Sequence, residues 1–142
     1  DLNASKITAG TISAARFIGA GISQVARSGG SSVTIGTGST FTATLTGCTS
    51  GSIIYAIASG SMQSRLNSSL GKLTLAITGG TSMVSFTNNM STSAWGSTSA
   101  VVAVPSNSSS TVTASATFER SSPSYNPNYL LNYGIILVEV LQ

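Results

Sequence analysis

The residues of this chain that could support acid–base or nucleophilic chemistry are few. Its 142 residues include no His, three carboxylates (Asp1, Glu119 and Glu139) and a single Cys, Cys48. Without imidazole there is no Ser–His or Cys–His pair and no histidine ligand for a metal. A glycosidase needs two facing carboxyl groups, whereas we expect one of Glu119 and Glu139 to reach solvent and the other to form an interface salt bridge. We therefore predict no enzyme activity, no metal site and no cofactor.

Aromatic rings beside amides and hydroxyls are the residue types best suited to a site. A ring packs against the C–H face of a sugar, while Asn and Ser hydrogen-bond to its hydroxyls. Recognition is expected in three stretches predicted to be loops: 60–71, 88–99 with Trp95, and 121–133 with Tyr125, Tyr129 and Tyr133. The predicted receptor contacts are Asn88, Asn89, Trp95, Tyr125, Asn128 and Tyr129. An alternative stays open, in which Trp95 and the tyrosines pack against the protein's own strands or a neighbouring subunit.

Short strands must position these loops. Apolar residues alternate with Thr, Ser or Ala at 41–46, 73–78 and 111–118, which is the period of a half-buried strand. Shorter strands are predicted at 33–36, 82–87 and 100–104.

Two further segments, Ser52–Ser59 and Gly134–Leu141, are apolar on both faces. We expect them to be central strands, covered by the opposite sheet on one side and by a neighbouring subunit on the other. Roughly eight strands result, which predicts an all-β, antiparallel β-sandwich or jelly roll. Met62–Leu70 is the one fair candidate for a helical turn.

The first twenty-two residues have a different period. One large apolar residue returns at every fifth position: Leu2, Ile7, Ile12, Phe17 and Ile22. That spacing fits neither a helix nor a strand, so we predict an intertwined oligomeric stem in which copies of this segment wind about a common axis. An amphipathic helix over 4–17 is the alternative, disfavoured by Gly10 and by β-branched residues. Gly- and Ser-rich residues 19–32 are predicted to be a neck, giving a stem and neck at 1–30 and a head at 31–142.

Residues 2–17, LNASKITAGTISAARF, resemble an element of tailed-bacteriophage fibres and tail-tip proteins that commonly precedes a C-terminal trimeric head. Ala9 and Phe17 depart from the usual residues. The chain's ending, 115–120 and 134–141, is similar to trimeric jelly rolls of the C1q and tumour-necrosis-factor type. The resemblance implies a homotrimer on a virion, assembled in the host cytoplasm, that binds a bacterial surface polysaccharide or another outer-membrane or cell-wall receptor and contacts other virion tail proteins.

Two other functions stay open at this point. One is a structural virion domain that caps a trimer or attaches to the capsid or baseplate. Another is a monomeric bacterial adhesin domain, which would make the stem resemblance accidental. Aromatic residues in loops far from the stem favour receptor binding, whereas aromatic residues confined to a subunit interface favour the structural role.

The composition is unusual for a soluble domain, because only 6% of the residues are charged while 28 Ser and 18 Thr supply polarity. The net charge of +3 arises from scattered cations, so no basic patch for nucleic acid is expected. The longest apolar runs, Ile53–Ala58 and Ile135–Val138, are far too short to span a bilayer, and no membrane insertion is predicted. Since no basic-then-apolar leader follows Asp1, we expect a C-terminal piece of a longer protein.

Overall fold

The computed structural model describes residues 21–36, 38–64, 69–120 and 129–142, and most of them are in strands. The strands are β1 (Gly21–Ile35), β2 (Gly38–Thr46), β3 (Ile53–Ser64), β4 (Gly71–Ile77), β5 (Ser82–Phe86), β6 (Trp95–Val104), β7 (Thr111–Arg120) and β8 (Tyr129–Leu141). No helix occurs in these ranges. The helical turn predicted from Met62 is wrong as far as Ser64, because β3 continues through both residues.

The strands form two four-stranded antiparallel sheets that pack face to face, which confirms the predicted all-β sandwich. The first sheet has the order β1-β8-β3-β6 and the second the order β2-β7-β4-β5. β3 and β8 are the two central strands of the first sheet, as their apolar sequences predicted. Alternation explains the layers: in β7, for example, Val112, Ala114, Ala116 and Phe118 point into the core while the hydroxyl residues between them point outward.

The core is closed at one end by three aromatic rings. Tyr133 of β8 stacks on Phe41 of β2, with ring centroids 3.9 Å apart, and the Phe118 ring lies beside both. Phe118 fills the space under Gly60 of β3, where an added Cβ would lie only 2.3 Å from the Phe118 Cε1. Gly60 is therefore the residue that lets β3 pass over a large side chain.

The predicted neck is corrected over residues 21–30. These residues are the first part of β1 and pair with β8 from Gly21–Leu141 to Gly30–Tyr133. The predicted domain boundary near residue 30 thus falls inside a strand. Gly and Ser content suggested a linker, but a ladder is made by backbone groups, and the edge of the apolar strand β8 requires a hydrogen-bonding partner whatever the side chains are.

The predicted stem is only partly within the described residues. Ile22 lies in β1, opposite Val140, with its side chain exposed. Leu2, Ile7, Ile12 and Phe17 lie outside the described residues, so the stem stays a prediction.

Candidate functional site

The side chains of the first sheet that point away from the core form a surface that we call the first outer face. Cross-strand pairing arranges them in rows across β1, β8, β3 and β6. Three consecutive rows are apolar except for Arg27; they consist of Ile22, Val140 and Ile53, then Val25, Val138, Tyr55 and Ala103, then Arg27, Ile136, Ile57 and Val101. We call these rows the apolar half. Val101 is 52% exposed and Val25, Tyr55, Ile57 and Ile136 are about 40% exposed, so the chain's own described residues leave much of this half uncovered.

The rows that follow on the same face are mainly Ser, Gly, Asn and Gln, ending in a row with Leu130 and Trp95, and we call them the serine half. They consist of Gly29, Gly134, Ser59 and Ser99, then Asn132, Ser61 and Ser97, then Leu130, Gln63 and Trp95. Between β3, β6 and β8 the surface sinks into a depression of about 360 Å³. It is lined by Ser59, Ser61, Ser97 and Ser99 together with Gly60, Thr98, Tyr133 and Gly134. The Ser61 and Ser97 Oγ atoms lie 3.1 Å apart and share a hydrogen bond.

Gly134 creates much of this depression. It lies in the middle of β8, pairs with Gly29 and Ser59, and does not have a positive φ. A Cβ added to it would meet no heavy atom within 4 Å. Neither backbone conformation nor packing within the described chain therefore requires a glycine at this position. The space above it is available to a group from outside the chain.

Three of the predicted contact residues, Asn88, Asn89 and Trp95, lie near the serine half. Trp95 begins β6, points to the first outer face beside Gln63, and is 38% exposed. The Asn88 side chain accepts a hydrogen bond from the backbone N–H of Ser97 at 3.0 Å, which fixes the start of β6. Asn89 is exposed next to it. Sequence reasoning placed Trp95 in a loop, whereas it belongs to the sheet.

Tyr129 is a correction to the predicted contact set. It lies at the start of β8 with its ring buried in the core, and its hydroxyl has no hydrogen-bond partner among the described residues. The Arg120 guanidinium lies 5.8 Å from its ring centroid. The apolar residues that follow Tyr129 draw it into the strand, so it packs inward and is no surface contact. Tyr125 and Asn128 lie outside the described residues and stay predictions.

The serine half was missed by sequence reasoning. Its residues lie in strands, whereas the predicted site consisted of aromatic residues and neighbouring asparagines in loops. One signal was available: Ser59, Ser61, Ser97 and Ser99 occupy outward positions of their strands, and Gly134 interrupts the outward apolar positions of β8.

The two described carboxylates lie in different sheets, so they do not face each other across one cleft. Glu119 forms an ion pair with Lys72 on the outside of the second sheet. Glu139 points into the sandwich, where its carboxylate accepts hydrogen bonds from Ser23 Oγ (2.8 Å), Gln24 Nε2 (2.7 Å) and the Thr49 N–H (2.6 Å). Glu139 is thus neither the solvent-exposed carboxylate nor the salt-bridged one that was expected from the sequence, and it has no ion-pair partner among the described residues.

The hydrogen bonds around Glu139 decide its charge state. Burial by itself raises the pKa of Glu139, but the donors on Gln24, Thr49 and neighbouring serines outweigh burial, so the pKa lies below its usual value. Ser23 reaches the carboxylate because β1 shifts register between Ile22 and Gln24, a bulge that turns adjacent side chains toward one acceptor. Burial and the nearby Glu139 charge raise the pKa of the Cys48 thiol.

The second sheet presents a different surface, which we call the second outer face. Its rows are dominated by hydroxyl residues of β2 and β7, and facing pairs bond to each other: Thr40 Oγ1 lies 2.8 Å from Thr117 Oγ1, and Thr44 Oγ1 lies 3.0 Å from Thr113 Oγ1. Exposed apolar side chains on this face are confined to its edge strand β5, at Val84 and Phe86. Over the described strands it contains no continuous apolar patch comparable with the apolar half.

No known protein family matches this chain, and no curated protein is significantly similar to it. In the described ranges, no three His, Cys, Asp or Glu side chains gather in a group that could hold a metal ion. Those ranges also contain no helix with the length and apolar character needed to cross a membrane.

Proposed function

We propose that this chain is the non-catalytic C-terminal domain of a bacteriophage tail fibre or tail-tip protein, a homotrimer that binds a saccharide receptor on the bacterial surface. The proposal draws on two supports of different kinds. One is the resemblance of residues 2–17 to the phage element described above. The other, which carries the argument for assembly, is the apolar half of the first outer face.

The apolar half has the properties of a subunit interface. Its rows join Val25, Tyr55, Ile57, Val101 and Ile136 into one surface on four paired strands. Monomeric soluble proteins rarely expose apolar patches of more than a few hundred Å². The surface is not a general property of this sequence, since the second outer face is covered largely by hydroxyls. A partner must therefore cover it.

A second copy of the chain is the partner that fits best. The apolar half begins at Ile22, the last of the five apolar residues of the predicted stem. Copies joined by that stem would have their β1 strands, and with them the apolar halves, close to the common axis. A threefold axis close to the apolar half would bring the three copies of this patch together, with each pairwise contact joining different parts of the patch, as in any closed ring.

The strand order supports the same proposal. Every connection except β4–β5 passes from one sheet to the other, and the orders β1-β8-β3-β6 and β2-β7-β4-β5 result. We infer that the sandwich is a jelly roll with this connectivity. The first and last strands, β1 and β8, are neighbours in the sheet that carries the apolar half.

Solution mass and adsorption to cells test the proposal together. By light scattering, we expect the full chain to have three times the 14.2 kDa mass of one copy. Fluorescently labelled chain should adsorb to some strains of a panel of bacteria, and digestion of their surface polysaccharide should abolish adsorption. A monomer, or a trimer that adsorbs to no strain, contradicts the proposed function. Adsorption that survives the digestion contradicts the saccharide receptor.

A further inference from the structure

We propose that the depression in the serine half is a binding subsite for a neutral saccharide, with Trp95 as its aromatic platform. This inference rests on the proposed function and deepens it by placing the receptor site on a sheet face instead of in the loops. Four features of the depression support it: the chemistry of its walls, its open floor, the aromatic ring beside it and its lack of charge.

The walls supply groups that match sugar hydroxyls. Each of Ser59, Ser61, Ser97 and Ser99 offers a hydroxyl that both donates and accepts, as a sugar hydroxyl does. They project from adjacent strands β3 and β6 in facing pairs, Ser59 with Ser99 and Ser61 with Ser97. Four short hydroxyl side chains in this arrangement can exchange hydrogen bonds with several hydroxyls of one ring.

The floor is open because of Gly134. A glycine in the middle of a strand lowers the stability of the fold, since it has more conformational freedom to lose and no side chain to pack. No heavy atom of the described chain lies within 4 Å of the position that a Cβ would take here, so packing does not explain why this position is a glycine. An incoming ligand that must approach the backbone closely would explain it.

The platform extends the site along β6. Trp95, Ser97 and Ser99 are successive outward residues of this strand, so Trp95 and Ser99 are about 13 Å apart at the usual strand rise. Gln63 lies beside Trp95, and its amide donates to the Thr92 carbonyl oxygen at 2.8 Å. A short oligosaccharide could place one ring on the Trp95 indole and the next in the depression.

The charge of the face selects the class of saccharide. Among the described residues, the rows of the serine half contain no Asp, Glu, Lys or Arg, and the nearest charged row position is Arg27 in the apolar half. An acidic sugar would find no cation in the depression, whereas uncharged hydroxyls and ring faces find partners. The site therefore favours neutral saccharides.

A matched set of variants of the full chain tests the site. Gly134→Val fills the depression, where an added Cβ meets no heavy atom of the described chain, and Trp95→Ala removes the platform. Phe86→Ala is the control, because Phe86 is also an exposed aromatic residue but lies on the second outer face. Binding is measured on an array of purified neutral O-antigen and acidic capsular polysaccharides, together with solution mass and thermal unfolding.

The unmodified chain should bind neutral polysaccharides of the array. We expect Gly134→Val and Trp95→Ala each to weaken that binding about tenfold or more, equivalent to roughly 1.4 kcal/mol, while Phe86→Ala leaves it unchanged. All three variants should keep the solution mass of the unmodified chain and a single cooperative unfolding transition, and Gly134→Val should melt no lower than the unmodified chain because it replaces a glycine inside a strand.

Three results would overturn the subsite. They are absence of binding to any neutral polysaccharide, unchanged binding by both site variants, and loss of the trimer in Gly134→Val, which would make the depression part of a subunit contact. A chain whose site variants still adsorb to bacteria keeps its proposed function and loses only this subsite. A chain that adsorbs to no bacteria loses both.

Discussion

The two outer faces of the sandwich differ although the two sheets are built alike. Both sheets have four antiparallel strands, and both turn alternating apolar side chains into a common core. Outward positions of the first sheet hold Val, Ile and Tyr in one half and Ser and Gly in the other, whereas those of the second sheet hold mainly Thr. The shared core determines the inner faces. The outer faces have no such common requirement, and their side chains differ.

The exposed side chains of the two outer faces differ in how they interact with water. On the second outer face, Thr combines a β-branched shape that favours strands with a hydroxyl that can bond across the pair or to water. On the first outer face, the aliphatic side chains of the apolar half cannot hydrogen-bond to water. Under the proposed function, the continuous apolar rows of the first outer face meet another copy of the chain, and exchanging properties between the two faces tests this difference.

The largest effect is expected from a charge placed in each face. Val101→Asp puts a carboxylate in the apolar half, while Val84→Asp puts one on the second outer face at a matched exposure, 52% against 48%. Burying the introduced carboxylate in a subunit interface would cost roughly 3 kcal/mol or more, over about a hundredfold in association. Light scattering should show monomers for Val101→Asp and trimers for Val84→Asp. Two variants with the same mass would remove the distinction between the faces.

Two glycines of the first sheet lie on opposite sides of it: Gly60 faces the core and Gly134 faces outward. Gly60→Ala adds a Cβ that would lie 2.3 Å from the Phe118 ring, so we expect destabilisation of about 1–3 kcal/mol by overpacking. Gly134→Ala meets open space and should stabilise the fold by roughly 0.5 kcal/mol through the loss of glycine's flexibility. Denaturant unfolding of both variants measures the difference. Equal free energies of unfolding would contradict the placement of these glycines on opposite sides of the sheet.

Much of the fold was predictable from the sequence because its signals are local. Period-two alternation gave β2, β4 and β7, and apolar runs on both faces identified β3 and β8 as central. The beginning of β1 was missed because Ser28, Gly29 and Gly30 carry no strand signal of their own. Their strand is imposed by β8, which lies more than 100 residues away in sequence.

The candidate site was less predictable than the fold. Trp95 could be singled out by its type, but its position beside Gln63 follows from the register of β3 with β6, which no local pattern contains. Tyr129 was misplaced because an aromatic residue next to Asn and Pro suggests a loop, while burial against the core decided its position. The hydrogen bonds of the Glu139 carboxylate depend on the bulge in β1, which no local pattern indicates.

The two carboxylates should respond differently to removal of their charge. Glu139→Gln introduces an amide donor opposite Gln24, already a donor, and leaves buried groups poorly paired, so we expect a loss of about 1–3 kcal/mol. Glu119→Gln removes a partly exposed ion pair with Lys72 and should cost less than about 1 kcal/mol. Chemical denaturation at pH 7 compares the two. A smaller loss in Glu139→Gln than in Glu119→Gln would contradict the role of the buried carboxylate.

The pH dependence follows from the lowered pKa of Glu139. Since the folded pKa lies below the unfolded one, Glu139 contributes its stability above the ordinary glutamate pKa of about 4.3, and this contribution is lost as the pH falls through the folded pKa. Unfolding free energies should therefore decrease below about pH 4.3 in the unmodified chain and decrease less in Glu139→Gln. A parallel decrease in both would assign the acid sensitivity to other groups.

The smallest effect is expected from an isosteric exchange on the second outer face. Thr113→Val removes one hydroxyl of the Thr44–Thr113 pair but keeps the branched shape, and the Thr44 hydroxyl can turn to water. We expect the free energy of unfolding to change by less than about 0.5 kcal/mol and the solution mass to stay the same. The reciprocal Val101→Thr adds a hydroxyl to the proposed interface and should weaken trimer association measurably, because that hydroxyl loses water on assembly. If Thr113→Val alone induced further association, the hydroxyls of the second outer face would be what keeps it free of partners.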